Sequence, residues 1–216
     1  VQSDGGLIVA IISNAVTIAD AGAFSVSLGA MTLIKTIDLT SAASTVSFVH
    51  GSSSVVFDST YPVYKFEIMN AHPSDTGNQG GFQFNGRDGG SAYDSPKCTT
   101  SFRAFHFEDD SNAGLGYRTG SDNVTTGFQR LTDDDDVGDS ADSGASGEIW
   151  IINPSSTTFA THFWARFSNM QSDAFSIDTM TSGYFNTTAA IDGIQFKFGS
   201  GNVDDATIKL YGIKDS

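Results

Sequence analysis

The sequence predicts an all-β chain folded as an antiparallel β-sandwich, and three observations predict it. Most apolar residues recur at period two, the spacing of a half-buried strand. Segments rich in Gly, Ser, Asn and Asp separate these runs, and such residues make turns by supplying positive φ and local side-chain caps. No stretch carries the three-to-four spacing of a long amphipathic helix.

The clearest strand is Tyr64-Lys65-Phe66-Glu67-Ile68-Met69, whose Tyr, Phe and Ile share one face while Lys65 and Glu67 share the other. A half-buried antiparallel strand gives that alternation. Ser101 to Glu108 alternates too, but Phe102, Ala104 and His106 oppose Phe105 and Phe107. With apolar residues on both faces, a phase shift or bulge is expected near Ala104. Further strands are expected at residues 33–39, 45–49, 81–84, 148–152, 161–167, 183–186, 194–198 and 207–213. Turns or loops are expected at 85–90, 111–114 and 133–147, with Asp204-Asp205 as a hairpin turn. The long loops are expected at one end of the sandwich.

Residues 1–30 differ from the rest. Leu7-Ile8-Val9-Ala10-Ile11-Ile12 and Phe24-Ser25-Val26-Ser27-Leu28 are strand-like and apolar, and Gly22, Gly29 and Ala30 set them apart from the pattern that begins at Met31. Two readings are open. The segment is an assembly arm that packs Leu7, Ile8, Ile11, Ile12, Phe24, Val26 and Leu28 on a neighbour, or it adds two strands to the sandwich. The domain division is then 1–30 for the arm and 31–216 for the sandwich. The apolar run 7–12 follows no basic region, so it does not read as a secretory signal, and it is too short to span a bilayer.

The 216 residues suit one all-β domain. Aromatic residues make up 12% of the chain, Phe alone numbering 17, which is enough bulk for a sizeable core. The net charge of −14 repels phosphate, so neither nucleic acid nor an anionic membrane surface is an expected partner. Cys98 is the single cysteine, which excludes an intrachain disulfide and any multi-cysteine zinc site; it reads as a small strand residue.

Four constellations could carry chemistry. Asp133-Asp134-Asp135-Asp136 with Asp139 and Asp142 could offer hard oxygen ligands, Asp133, Asp135 and Asp139 being the calcium candidates. The spacing of an EF-hand is absent, and a solvated acidic loop is the simpler account. His50, His72, His106 and His162 are scattered, with no zincin or nucleophile-elbow spacing. Glycoside hydrolysis needs two converging carboxyl groups. Glu67, Glu108 and Glu148 each lie at or near a strand, and Glu67 and Glu148 read as solvent-face partners of cross-strand bases. Tyr93, Tyr117, Trp164 and Tyr184 could form a sugar-stacking platform, against the alternative that aromatics at period two, Trp150 and Trp164 above all, belong to the core. No cofactor and no catalytic residue is expected.

Several stretches resemble small bacteriophage virion proteins of the tail-fibre, appendage and head-decoration type. They are Leu33-Ile34-Lys35-Thr36 leading into Val46-Ser47-Phe48, Phe57 to Tyr61 before Tyr64 to Ile68, Gly147 to Pro154, and Ile191 to Phe196 through Ile208 to Ile213. The resemblance covers residues 31–213. It implies a jelly-roll-like sandwich on a particle exterior, assembled in the host cytoplasm as a homotrimer alongside other virion proteins. It carries over no active-site residue. The expected function is a non-enzymatic virion structural protein that assembles through its N-terminal arm. The alternative is a carbohydrate-binding adhesion module for host-surface glycans.

Overall fold

The computed structural model describes residues 31–75, 81–132, 137–171 and 175–214, and the backbone of three short strands before them. Those three, β1 (Ile11–Ser13), β2 (Val16–Asp20) and β3 (Ala23–Phe24), pair antiparallel in the order β1-β2-β3. The side chains of Ile11, Ile12 and Phe24, and all of Leu7, Ile8, Val26 and Leu28, lie outside the described residues.

From Met31 the chain is all-β and forms a two-layer sandwich. Its strands are β4 (Met31–Leu39), β5 (Val46–Val49), β6 (Val63–Pro73), β7 (Phe82–Arg87), β8 (Lys97–Phe107), β9 (Ala113–Tyr117), β10 (Val124–Thr125), β11 (Gln129–Arg130), β12 (Ala145–Ile152), β13 (His162–Gln171), β14 (Phe175–Phe185), β15 (Gly193–Phe198) and β16 (Val203–Ile213). The large sheet runs β10-β8-β14-β13-β12-β6-β16-β4, with β9 also paired to β8; the small sheet runs β11-β7-β15-β5. Every pairing is antiparallel.

The two sheets enclose a core dominated by phenylalanine. Phe66 of β6 is fully buried and meets Phe48 at 5.1 Å, Phe196 at 5.2 Å and Phe57 at 6.2 Å between ring centroids. Edge-to-face packing of this kind gains energy beyond area burial alone. Ile68, Ile149, Ile151, Ile208 and Leu210 extend the same inner face across β6, β12 and β16. Glycine stands where a ring lies against the sheet: a Cβ on Gly212 would collide with the Tyr61 ring, so this position admits no larger residue unless the ring moves.

Under β8 and the middle of β14, between the buried Ile177 and Phe185, the inner face is of another kind. Lys97, Thr99, Ser101, Thr179 and Thr181 are all buried there. Thr99 Oγ1 donates to Gln129 Oε1 at 2.9 Å and accepts from Asn123 N at 3.1 Å, and the hydroxyls of Ser101 and Thr181 pair at 3.0 Å. Lys97 Nζ donates to the carbonyls of Ser95 and Gly127, and burial pushes its pKa down to about 8.

Four sequence expectations are corrected. β8 keeps one unbroken register with β14 from Phe107 to Lys97, so there is no bulge at Ala104; Phe102 simply faces solvent, at 44% exposure. Asn85, Gly86 and Arg87 belong to β7, not to a turn, because Asn85 satisfies its buried amide by donating to the carbonyls of Tyr93, Thr126 and Gly127. Residues 113–117 form β9, where a turn was expected to run through Gly114. Asp204 and Asp205 lie within β16, at a register slip against β6.

Candidate functional site

The outer face of the large sheet is built by the alternate residues of the strands that fill the core. In β13, Phe163, Ala165 and Phe167 are buried while His162, Trp164 and Arg166 are exposed. The neighbouring strands hold the same phase, so the registers align residues into rows that cross the sheet. One row runs Leu33, Tyr211, Lys65, Trp150, Trp164, Ser182, Thr100. The next runs Lys209, Glu67, Glu148, Arg166, Met180, Phe102, Tyr117. A third runs Met31, Ile213, Val63, Ile152, His162, Tyr184, Cys98, Val124.

At the centre of the first row the two tryptophan rings stack, with centroids 6.0 Å apart and planes 13° from parallel. Lys65 Nζ covers the other side of Trp150, 5.4 Å from its ring centre. Trp164 is 46% exposed. Both tryptophans were placed in the core by the sequence reading; each belongs to the outer face, because its strand gives the inward positions to Ile149 and Ile151, or to Phe163, Ala165 and Phe167.

The charges around the stack are paired. Lys65 Nζ lies 2.8 Å from Glu148 and 4.0 Å from Glu67, and Arg166 grips Asp178 with two bonds of 3.0 and 2.8 Å. The Lys65 ammonium holds the Glu148 carboxyl below its ordinary range. Such a group stays ionised at neutral pH and is no general acid. Tyr211 Oη donates to Glu67 at 3.2 Å, and burial first, then the Glu67 charge, raises its phenol pKa.

Of the aromatic candidates, Tyr117, Trp164 and Tyr184 share this face. Tyr117 is 57% exposed, and its hydroxyl donates to Asp122 and stands 3.4 Å from Thr100 Oγ1. Tyr184 packs beside His162 at 5.7 Å, and the neighbouring Cys98 thiol raises its phenol pKa. Tyr93 does not join them: it is half-buried in the β7–β8 connection, with its carbonyl bound by Asn85. Lys65, Trp150, Arg166, Asp178 and Ser182 were missed as members. The signal was available, since a period-two reading of His162 to Phe167 puts Trp164 in the company of His162 and Arg166.

A concave feature separate from this face, an open cleft of about 970 Å³, lies at one end of the large sheet. Glu108, Asp139, Asp142, Asp204 and Asp205 line it together with His72 and Asn169. β6 bends into it at Asn70, which adopts φ 51° where the register with β12 shifts. His72 Nδ1 stands 3.8 Å from Asp204, and its Nε2 lies 3.2 Å from the Ser140 carbonyl. The carboxylates are exposed apart from half-buried Asp139, and no aromatic residue lines the cleft. Asp133 and Asp135 lie outside the described residues. Among the described residues, no three His, Cys, Asp or Glu side chains are grouped to hold a metal ion, and no helix is long and apolar enough to cross a membrane.

No known family model matches the sequence, and no curated protein matches it. Among solved structures, the exo-inulinase from Aspergillus awamori is returned at 12% identity and a TM-score of 0.26. The match covers 86% of this chain and 29% of the enzyme. Similarity at that level carries no argument about fold or activity.

Proposed function

We propose that the chain is a non-enzymatic structural protein of a phage exterior, working as a homo-oligomer whose contact surface includes the outer face of the large sheet. The observation that carries it is the load of large apolar side chains left in solvent at both ends of that face. Met31 and Leu33 of β4 are 49% and 52% exposed, and at the far end Leu115 and Val124 are 77% and 78% exposed. Exposed apolar patches of this kind mark interaction surfaces.

Because the two patches are different and sit at opposite edges, they suit head-to-tail contact between copies, which closes into a ring when the rotation permits. A trimer is the expected ring. The virion setting rests on the sequence resemblance, as does contact of residues 1–30 with other virion proteins. Equilibrium sedimentation of the full chain tests the assembly: the expected mass is a threefold multiple of 22.8 kDa, falling to one copy in Leu115→Glu/Val124→Glu with strand content retained. A single copy at every concentration overturns it.

A second reading, a carbohydrate-binding adhesion module, is favoured by the exposed Trp164 and its stacked partner. Catalysis is not proposed. Lys65 holds Glu148 ionised, and the mostly exposed carboxylates of the cleft stand without the apolar surroundings of a catalytic acid.

A further inference from the structure

We propose that the gap in the outer-face row beside Trp164 is a subsite for one pyranose ring of a neutral glycan. The inference rests on the reading of this sheet face as a contact surface and names what its centre, between the two apolar ends, would take.

Trp150 occupies one face of the Trp164 ring, and Lys65 occupies the far face of Trp150. The free face of Trp164 therefore turns toward β14, where the directly opposed residue is Ser182 and the next in the row is Thr100. Both are small. Two strand spacings separate β13 from β8, about 10 Å. A ring held at van der Waals distance from the walls on either side needs roughly 7–8 Å. The row thus holds a slot with an aromatic wall, a hydroxyl floor at Ser182, and a far wall of Thr100 under the Tyr117 hydroxyl. An apolar sugar face packs on indole while groups around the slot bind its hydroxyls.

Those groups sit on both flanks. Arg166 and Met180 lie on one side, with Asp178 one row beyond and bonded to the guanidinium, and His162 and Tyr184 lie on the other. A guanidinium already bound to a carboxylate offers a donor and an acceptor together. The charge pattern selects against an anionic ligand, because Lys65, Lys209 and Arg166 are offset by Glu67, Glu148 and Asp178 in and beside these rows, and Asp122 stands behind the Tyr117 hydroxyl. The −14 charge of the chain further disfavours an anionic glycan such as a sialylated one.

The test is titration of the full chain with hexasaccharides of glucose, mannose and galactose, with a sialylated oligosaccharide as the anionic comparison. Tryptophan fluorescence and calorimetry are the readouts. The expected result is saturable binding of at least one neutral hexasaccharide, with a fluorescence change. Trp164→Ala and Ser182→Arg, the latter filling the slot from an exposed position, should each weaken it at least tenfold, while Tyr93→Phe leaves it intact. Absence of binding to every neutral probe at millimolar concentration overturns the proposal, and so does binding that survives both Trp164→Ala and Ser182→Arg. Sedimentation of the same variants separates this outcome from failure of the assembly reading, since neither substitution touches the apolar ends of the face.

Discussion

The inner face of the large sheet has two halves that solve burial differently. Beneath β6, β12 and β16 it is aromatic and aliphatic, and its cohesion comes from close-packed rings centred on Phe66. Beneath β8 and the middle of β14 it carries Lys97, Thr99, Ser101, Thr179 and Thr181, flanked on β14 by the apolar Phe175, Ile177 and Phe185, and most of these polar groups are hydrogen-bonded. The first half gains by removing apolar surface from water; the second gains little net energy from its hydrogen bonds but loses much if one is broken. Stability should therefore reside in the first half, with the second setting the register of the strands that carry the outer-face rows.

The largest expected effect lies in the aromatic half. Phe66→Ala should cost about 3–5 kcal/mol, because the cavity sits among Phe48, Phe57 and Phe196 with little freedom to collapse. Chemical denaturation measures it, and a loss near 1 kcal/mol would mean that the core is not centred there.

Next comes Lys97. Its folded pKa of about 8 lies below the ordinary 10.5, so between those values the unfolded chain binds more protons and stability rises with pH. The benefit is lost as pH falls from 10.5 to 8 and is absent below 8, a difference of roughly 3 kcal/mol. Tyr64 acts in the opposite sense at higher pH, since its phenol is pushed up to about 12 and stability declines as pH passes 10. Melting curves between pH 8 and 9.5 isolate the lysine: stability should rise in the native chain and stay flat in Lys97→Met.

A smaller effect tests the hydroxyl network. Thr99→Val keeps the shape but leaves the buried Gln129 amide oxygen without its donor, at a cost of about 1–3 kcal/mol. Double substitution with Gln129→Leu should recover part of that loss, and additive losses would show that the two side chains are not coupled. Smallest is Arg166→Ala, where an exposed ion pair with Asp178 should leave the denaturation midpoint unchanged while altering what the outer face binds.

Strand existence was legible from alternation, as β6, β13 and β16 show. The polar half of the sandwich was not. β14 was expected only from Gly183 onward because Thr179 and Thr181, which point inward, look like surface residues when read alone. The supposed bulge in β8 came from the same cause: with apolar Phe102 outside and Ser101 inside, alternation gives no hint of which face is buried. The candidate site was half legible. Trp164, Tyr117 and Tyr184 were named as possible sugar-stacking aromatics, with the core as the competing place for Trp164, but their convergence depends on the pairing of β14 with β8, which joins segments distant in sequence. The acidic loop gave the opposite result, its Asp139 lining the cleft while Asp133 and Asp135 lie outside the described residues.

The most direct test of the central claim, that this sandwich is a building block of a particle exterior with its large sheet as the contact surface, is an image of the intact phage particle at a resolution that traces strands. The account predicts density for residues 31–213 outside the shell or on the tail, in rings of three, with β4 of one copy against β9 and β10 of the next. Particles that lack the chain, or that hold it as isolated copies with the outer face of β4 and β9 in solvent, would contradict it.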